Sequence, residues 1–199
     1  MTAQPAFGKS ACSPRHPHYR RVVSITLLPY SQLWPAAFDE EAARLRDPLR
    51  PWLMDGIHHI GSTAVPGLAA KPILDMMAGV ADLEQARDAI SVLADLGYEH
   101  ADHRPDEALW FYRQPGTDDS LRTHQLHLTR PGSDLWLERL AFRDALRADP
   151  QLRAEYEALK RDLASKSNAV SEYAVAKRPF VTAVLNRAGV FPRCPDGRR

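Results

Sequence analysis

The chain has 199 residues, which suits one domain with terminal extensions, or one domain with a small helical annex. Acidic and basic residues nearly cancel, and the formal net charge of +1 creates no global field that would favour nucleic acid or an anionic membrane as a partner. The sequence contains no run of about 18 apolar residues that would predict a membrane span, and no signal peptide is indicated. We therefore expect a cytoplasmic protein without a membrane partner.

Both ends of the chain are predicted to be flexible tails. Residues 1–21 combine three prolines with a basic cluster, and residues 191–199 contain two prolines and two terminal arginines. Such compositions cannot bury enough apolar surface to become ordered. Cys12 and Cys194 lie in these flanks, away from the paired spacing of a zinc site, which fits a reducing compartment. The folded domain is therefore expected over residues 22–190.

The predicted elements begin with a strand over residues 22–28, which ends at Pro29 because proline cannot donate to a strand ladder. Apolar side chains then recur every three or four residues over 33–49, which predicts a helix closed near Pro48. The next elements are strands at 57–60 and 73–80, a helix at 82–96 ended by Gly97, and strands at 98–100, 109–113 and 125–129. Residues 133–189 are helical in period, with breaks at Pro150 and around 165–171.

The stretch 58–75 carries the candidate chemistry. Gly61 and Ser62 directly follow a predicted strand; glycine has no Cβ, so a phosphate can approach the backbone closely, and the serine adds a hydroxyl donor. Asp75 begins the next strand, where its carboxylate could hold a divalent cation beside the phosphates, and Lys71 could neutralise charge between them. The alternative is that the glycines are ordinary turn residues and Asp75 caps a strand.

This stretch closely resembles the signature of the GrpB family, whose members are similar to the nucleotidyltransferase superfamily. The resemblance covers roughly residues 25–189, and similar domains resemble the C-terminal part of some dephospho-coenzyme A kinases. It implies an α+β fold, with a nucleotidyltransferase-like mixed β-sheet, helices packed on one side and a helical C-terminal region. It also implies that Gly61 and Ser62 form the phosphate turn and that Asp75 is a metal ligand.

The sequence departs from the superfamily pattern just after Asp75. Active nucleotidyltransferases generally show Asp, an apolar residue and a second acid, whereas this chain has Met77 at the last of these positions. A thioether cannot replace a carboxylate for magnesium. A later strand normally adds a third acid, and here it brings His127 instead. His59 and His127 are therefore candidate metal ligands with Asp75, or hydrogen-bonded structural residues. The expected metal is magnesium or manganese, with zinc as an alternative; histidine ligands favour zinc, manganese or iron over magnesium, and these substitutions point to a softer metal, a single metal or none.

Three further cations lie in stretches that match the family. Arg122 and Lys177 are candidates for gathering a triphosphate, and Tyr173 stands one helical turn before Lys177, which places a ring and a cation on one face. Lys160 lies in a charged run that is more typical of a solvated helix face.

The sequence predicts a nucleotidyltransferase-like enzyme that binds ATP, another nucleoside triphosphate or a phosphorylated metabolite, and transfers a nucleotidyl group to a small molecule. The predicted catalytic residues are Asp75 and His127, and the predicted phosphate-binding residues are Gly61, Ser62, Lys71, Arg122 and Lys177. Two alternatives stay open, namely an ATP-dependent ligase of a biosynthetic pathway and a noncatalytic nucleotide-binding or metabolite-binding module.

Overall fold

The computed structural model describes residues 25–102, 105–115, 122–167 and 169–191. The predicted tail 1–21 and both cysteines lie outside the described residues, as does the predicted tail 191–199 apart from its first residue. Of the strand predicted over residues 22–28, the described part forms only an isolated bridge between Leu28 and Ala70.

Five strands form one mixed sheet in the order β1-β2-β5-β4-β3. The strands are β1 (Leu53–Ile60), β2 (Leu74–Val80), β3 (Glu99–Ala101), β4 (Leu109–Arg113) and β5 (His124–Thr129). Neighbouring strands run antiparallel except β2 and β5, which are parallel. A parallel pair needs a crossover connection, and the chain between β2 and β5 supplies it with a helix and the β3-β4 hairpin.

Six α-helices accompany the sheet in the described residues. They are α1 (Leu33–Leu49), α2 (Ala89–Asp95), α3 (Asp134–Ala148), α4 (Pro150–Lys166), α5 (Val170–Ala176) and α6 (Arg178–Arg187). The predicted break at Pro150 is the start of α4, where proline occupies the first turn and the Asp149 side chain caps the helix. None of these helices is both long and apolar enough to cross a bilayer.

The two faces of the sheet have different partners. Helices α1 and α2 cover the face that carries Met76, Leu126 and their neighbours, and this packing forms the largest buried apolar cluster of the described residues. On the opposite face, Trp136 of α3 packs against Ile60 and Met77. The α+β class and the mixed sheet are confirmed, and the helical C-terminal region covers part of this second face.

A buried polar network connects α1 with the end of β4 and with Tyr98, the residue before β3. The carboxylate of Glu41 accepts hydrogen bonds from the Tyr98 hydroxyl at 2.8 Å and from both terminal nitrogens of Arg113 at 2.9 and 3.0 Å. Burial would raise the pKa of Glu41, but these two partners together hold the pKa below its ordinary value. The carboxylate is therefore charged and matched by a fork of donors.

Candidate functional site

Gly61 lies directly against Asp75. The preceding residue, Ile60, pairs with Asp75 across the β1-β2 ladder, so the turn after β1 folds over the first residues of β2. The backbone of Gly61 has φ 69° and ψ −169°, a conformation that favours glycine. A Cβ at this position would lie 2.8 Å from both Cβ and Cγ of Asp75, and closer still to Oδ2. The expected adjacency of the Gly-Ser turn and the carboxylate is confirmed.

The positive charges of three cations act on the carboxylate of Asp75. Burial raises the pKa of Asp75, and the positive charges of Lys71, Arg139 and Lys177 oppose that shift. Burial likewise lowers the pKa of Lys71, which the negative charge of Asp75 counteracts. Three cations against one carboxylate leave this group net positive, so it can attract an anion.

The ring of Tyr173 supports two of these cations. The Nζ atom of Lys177 lies 4.2 Å from the ring centroid, and that of Lys71 lies 6.0 Å from it. Tyr173 is almost fully buried, so its ring is a fixed surface against which both ammonium groups are held. The expected pairing of Tyr173 and Lys177 on one face is confirmed. We call Lys71, Asp75, Arg139, Tyr173 and Lys177 the Asp75 cluster.

Burial dominates the proton equilibrium of Lys177. It lowers the pKa of Lys177 to about 8, with a further lowering from Lys71 that Asp75 partly offsets. Lys177 is therefore mostly protonated at neutral pH. Lys71, Asp75 and Lys177 are half-buried, as are Gly61 and Ser62, so each of these residues keeps some contact with solvent.

Helix α4 holds the loop after the Gly-Ser turn. Lys160 is 1% exposed and donates to the carbonyl oxygen of Ala69 and, at 3.3 Å, to Oγ of Ser62. Glu157 accepts a hydrogen bond from the amide of Ala69 at 2.9 Å. The interpretation of Lys160 as a solvated residue is wrong, because the helical period turns it inward while Arg161 and Asp162 face solvent. Burial lowers the pKa of Lys160 to about 7.

Helix α3 holds the same turn from its other end. Arg143 donates to the carbonyl oxygen of His59 at 3.0 Å, and Arg147 donates to the carbonyl oxygen of Ala64 at 2.9 Å. With the contacts from α4, side chains of two helices satisfy backbone groups before and after Gly61 and Ser62. No local sequence pattern indicates these contacts, because they join residues more than 80 positions apart.

His59 lies on the sheet face opposite Asp75. Its ring stacks on Phe38 of α1, with centroids 4.6 Å apart, and its Nε2 is 3.0 Å from Oγ1 of Thr63. The Thr63 hydroxyl donates to Ile73, so Nε2 of His59 must be the donor in the first hydrogen bond. Burial lowers the pKa of His59 to about 4, and Arg147 and Arg143 add to the shift. The predicted metal-binding pair of His59 and Asp75 is therefore not formed.

His127 shares the face of Asp75 but lies further along the sheet. Asp75 pairs in register with Gln125, whereas His127 pairs with Met77 on one side and Trp110 on the other. The buried ring of His127 lies 4.0 Å from the ring centroid of Trp110. In the part of the chain that the structure describes, no three His, Cys, Asp or Glu side chains come together as a possible metal-binding group.

Arg122 borders the Asp75 cluster. Its guanidinium lies 4.2 Å from the ring centroid of Tyr112, and its positive charge lowers the pKa of Lys71, although less than burial does. Tyr112 pairs in register with Gln125, the neighbour of Asp75 on β5. The predicted phosphate-binding residues Gly61, Ser62, Lys71, Arg122 and Lys177 therefore lie around one end of β2.

Comparisons with known proteins establish the family of this chain. The family model described as GrpB protein matches residues 24–187. The chain belongs to the GrpB family. A UPF0157 protein of Halalkalibacterium halodurans is 38% identical over 170 residues, which is 83% of each chain. The crystal structure of the conserved protein GrpB from Enterococcus faecalis is 30% identical, with a TM-score of 0.74 over 82% of this chain and 96% of that one.

Two more distant likenesses extend the comparison. The GrpB-family chain is 29% identical over 187 residues to a dephospho-CoA kinase of Mycolicibacterium paratuberculosis, and it spans 46% of the kinase's length. A structure of the Cid1 poly(U) polymerase with Mg 3′-dATP bound has a TM-score of 0.51 and 13% identity, over 74% of this chain and 49% of that one. The fold is therefore nucleotidyltransferase-like.

The residues around Asp75 do not fit the divalent metal centre that this fold family implies. Met77, at the position of the second acid, is fully buried and packs with Ile60 and Trp136. Asp75 is then a single carboxylate among three cations, and a divalent cation entering this group would be repelled by all three. Hard cations need several oxygen ligands, which these side chains do not supply.

Proposed function

We propose that this GrpB-family chain binds the phosphates of a nucleoside triphosphate, or of a related phosphorylated metabolite, at the Asp75 cluster. The observation that carries the proposal is that Lys71 and Lys177 both lie near the ring of Tyr173, and that their charges, with that of Arg139, act on the carboxylate that lies against Gly61. A phosphate group there would meet the ammonium groups of Lys71 and Lys177, which form strong charge-assisted hydrogen bonds with phosphate oxygens.

The Gly-Ser turn is the second element of the proposed phosphate site. The carboxylate of Asp75 fills the space that a side chain at Gly61 would occupy, so a phosphate would meet this turn at its backbone amides and at the hydroxyl of Ser62. Lys160 and the α3 arginines hold the backbone of this turn in place. A turn fixed before the ligand arrives costs less conformational entropy on binding.

The reaction that we propose for this site is nucleotidyl transfer to a small-molecule acceptor. The Cid1 structure, which shares this fold, was solved with Mg 3′-dATP, and this likeness supports a nucleotide as the ligand. The proposed contribution of the chain is to position the phosphates and to neutralise their charge, two effects that dominate the catalysis of phosphoryl chemistry. His127 is proposed as an acid or base only if the acceptor reaches the middle of β5.

A noncatalytic binding module is the second candidate, and one observation favours it. Met77 is part of the apolar contact between β2 and α3, so the position of the second acid serves packing. A chain that has given up this acid could bind a phosphorylated ligand without transferring any group from it. ATP-dependent ligation would use the same site. Pyrophosphate would leave when a carboxylate attacks the α-phosphorus of ATP, and an amine that then displaces AMP would be needed only for continued turnover.

Binding is tested by titrating the full chain with ATP, UTP, GTP and CTP, using calorimetry. The variant Lys177→Gln should bind at least about tenfold more weakly, because a hydrogen bond to a charged group contributes roughly 1.5–3 kcal/mol. Lys166→Gln is the matched control, since Lys166 is exposed and pairs with Asp162 at the other end of the domain's helical region. Equal affinity in both variants, or no binding of any nucleotide, would refute the proposal.

Transfer is tested separately by measuring pyrophosphate release across a panel of hydroxylated, amine and carboxylate acceptors. Release that depends on one acceptor class and disappears in Lys177→Gln supports an enzyme. Nucleotide binding with no release for any acceptor supports the noncatalytic module.

A further inference from the structure

We propose that the Asp75 cluster holds the phosphates of its ligand with fixed cations in place of a divalent metal, so that ATP binds as the metal-free anion. This inference rests on the proposed function and concerns the form in which the ligand is bound. It departs from the metal centre that the fold family implies, and it follows from the side chains that this chain places around β2.

The first argument is the balance of charge. Lys71, Arg139 and Lys177 all act on Asp75, and Arg122 adds a further positive charge beside Lys71. A metal-free polyphosphate carries more negative charge than its magnesium complex, so a net positive group attracts the free anion more strongly. Bound magnesium would cancel part of the attraction that the lysines provide.

The second argument is the fixed position of the two lysines. Lys71 lies in the loop before β2 and Lys177 lies between α5 and α6, yet both ammonium groups approach the ring of Tyr173. A flexible lysine loses rotamer entropy when it binds a phosphate. Both lysines are half-buried and Lys177 lies against Tyr173, so part of that entropy is already lost on folding.

The third argument concerns the carboxylate. Asp75 touches the Gly-Ser turn and faces the lysines, so in the absence of ligand it offsets part of their mutual repulsion. Once phosphate is bound, the same carboxylate becomes a nearby negative charge that repels the ligand. Asp75 is thus a positioning residue for the lysines. Removing its charge should strengthen phosphate binding if it has this role, and should weaken phosphate binding if it is a metal ligand.

The first test compares the affinity of the full chain for ATP and for inorganic tripolyphosphate in buffer containing excess magnesium and in buffer containing EDTA. The expected result is equal or tighter binding in EDTA. Binding that is at least about tenfold tighter with magnesium overturns the inference and leaves the proposed phosphate site standing. If neither compound binds in either buffer, the proposed function fails and this inference fails with it.

The second test measures Asp75→Asn, which keeps the shape of the side chain and removes its charge. In EDTA this variant should bind tripolyphosphate at least about fivefold more tightly, the size expected from removing one close repulsion between fully solvated charges. Asp162→Asn is the control, since Asp162 is exposed and pairs with Lys166 on α4. A tenfold or greater loss of binding in Asp75→Asn, in either buffer, overturns the inference.

Discussion

Replacing Gly61 with alanine tests the geometry on which the site depends. The backbone at Gly61, with φ 69° and ψ −169°, lies in a region that residues with a Cβ rarely adopt. The new methyl group would also lie 2.8 Å from Cβ and Cγ of Asp75, so the carboxylate must move or the turn must open. Gly67 offers a matched control, because its φ is also positive at 80° but the nearest atom to its Cβ would be 3.8 Å away.

The expected cost follows from these two contributions. Backbone strain in a glycine-only region amounts to roughly 1–3 kcal/mol, and overpacking against a neighbour that cannot yield freely adds roughly 1–3 kcal/mol. Alanine also restricts the unfolded chain and returns about 0.4–1 kcal/mol. Gly61→Ala should therefore lower the free energy of unfolding by roughly 2–5 kcal/mol, and Gly67→Ala by only about 1–2 kcal/mol from the strain alone.

Urea unfolding, followed by tryptophan fluorescence and circular dichroism, measures both values if the two probes give the same transition. The informative quantity is the difference between the two variants, because the gain from the unfolded state is common to both. A Gly61→Ala variant that is no less stable than Gly67→Ala would show that the turn does not press against the carboxylate. The proposed phosphate site would then lose its geometric basis.

Three more predictions follow. Glu41→Gln should lower the free energy of unfolding by ~3 kcal/mol, because it leaves the half-buried guanidinium of Arg113 without its counter-charge. The control Glu84→Gln, in an exposed pair with Arg87, should change the free energy of unfolding by less than about 1 kcal/mol. Lys160→Met should speed hydrogen exchange of the amides over residues 61–70 while leaving exchange in β4 unchanged. His59 has a pKa of about 4 when folded and an ordinary value of 6.5, so the unfolded state takes up a proton first on acidification. Through His59, the free energy of unfolding should fall by ~3 kcal/mol between pH 6.5 and pH 4, and His59→Gln should remove this contribution from the pH profile measured by urea unfolding.

The parts of the fold that local apolar spacing determines could be predicted from the sequence. Helix α1 and strand β4 have the predicted bounds, and β2 begins one residue later than expected. Strand β1 is longer than the predicted 57–60. Its first half is mostly exposed and has no apolar alternation that would predict a strand, but Leu53 pairs with Val80 of β2. The helix predicted over 82–96 starts as a 3₁₀ turn at Gln85–Asp88, since the Asp82 carboxylate caps the amides of the first turn.

The site was predictable only where it is built by neighbouring strands. Gly61 and Asp75 meet because consecutive strands usually pair, and the turn between them is short enough to return along the same edge. Lys160 comes from α4, which packs against α3 and the loop after the Gly-Ser turn, and Arg139 is an exposed residue of α3. Their sequence surroundings are those of ordinary charged helices, so no local pattern separates the buried Lys160 from a solvated cation.

The two adjacent histidines of β1 show why strand register decides a functional prediction. Alternation requires His58 and His59 to face opposite sides, but alternation alone leaves open which of them faces Asp75. The pairing of Ile60 with Asp75 brings His58 opposite Met77, and so it is His58 that shares the face of Asp75. That histidine is already engaged, at 3.3 Å from Asp55 and edge-on to a buried tryptophan, while His59 lies beneath α1. The register that places Gly61 against the carboxylate of Asp75 therefore turns His59 to the other face of the sheet. The charge near Asp75 is then set by Lys71, before β2, and by Lys177, between α5 and α6.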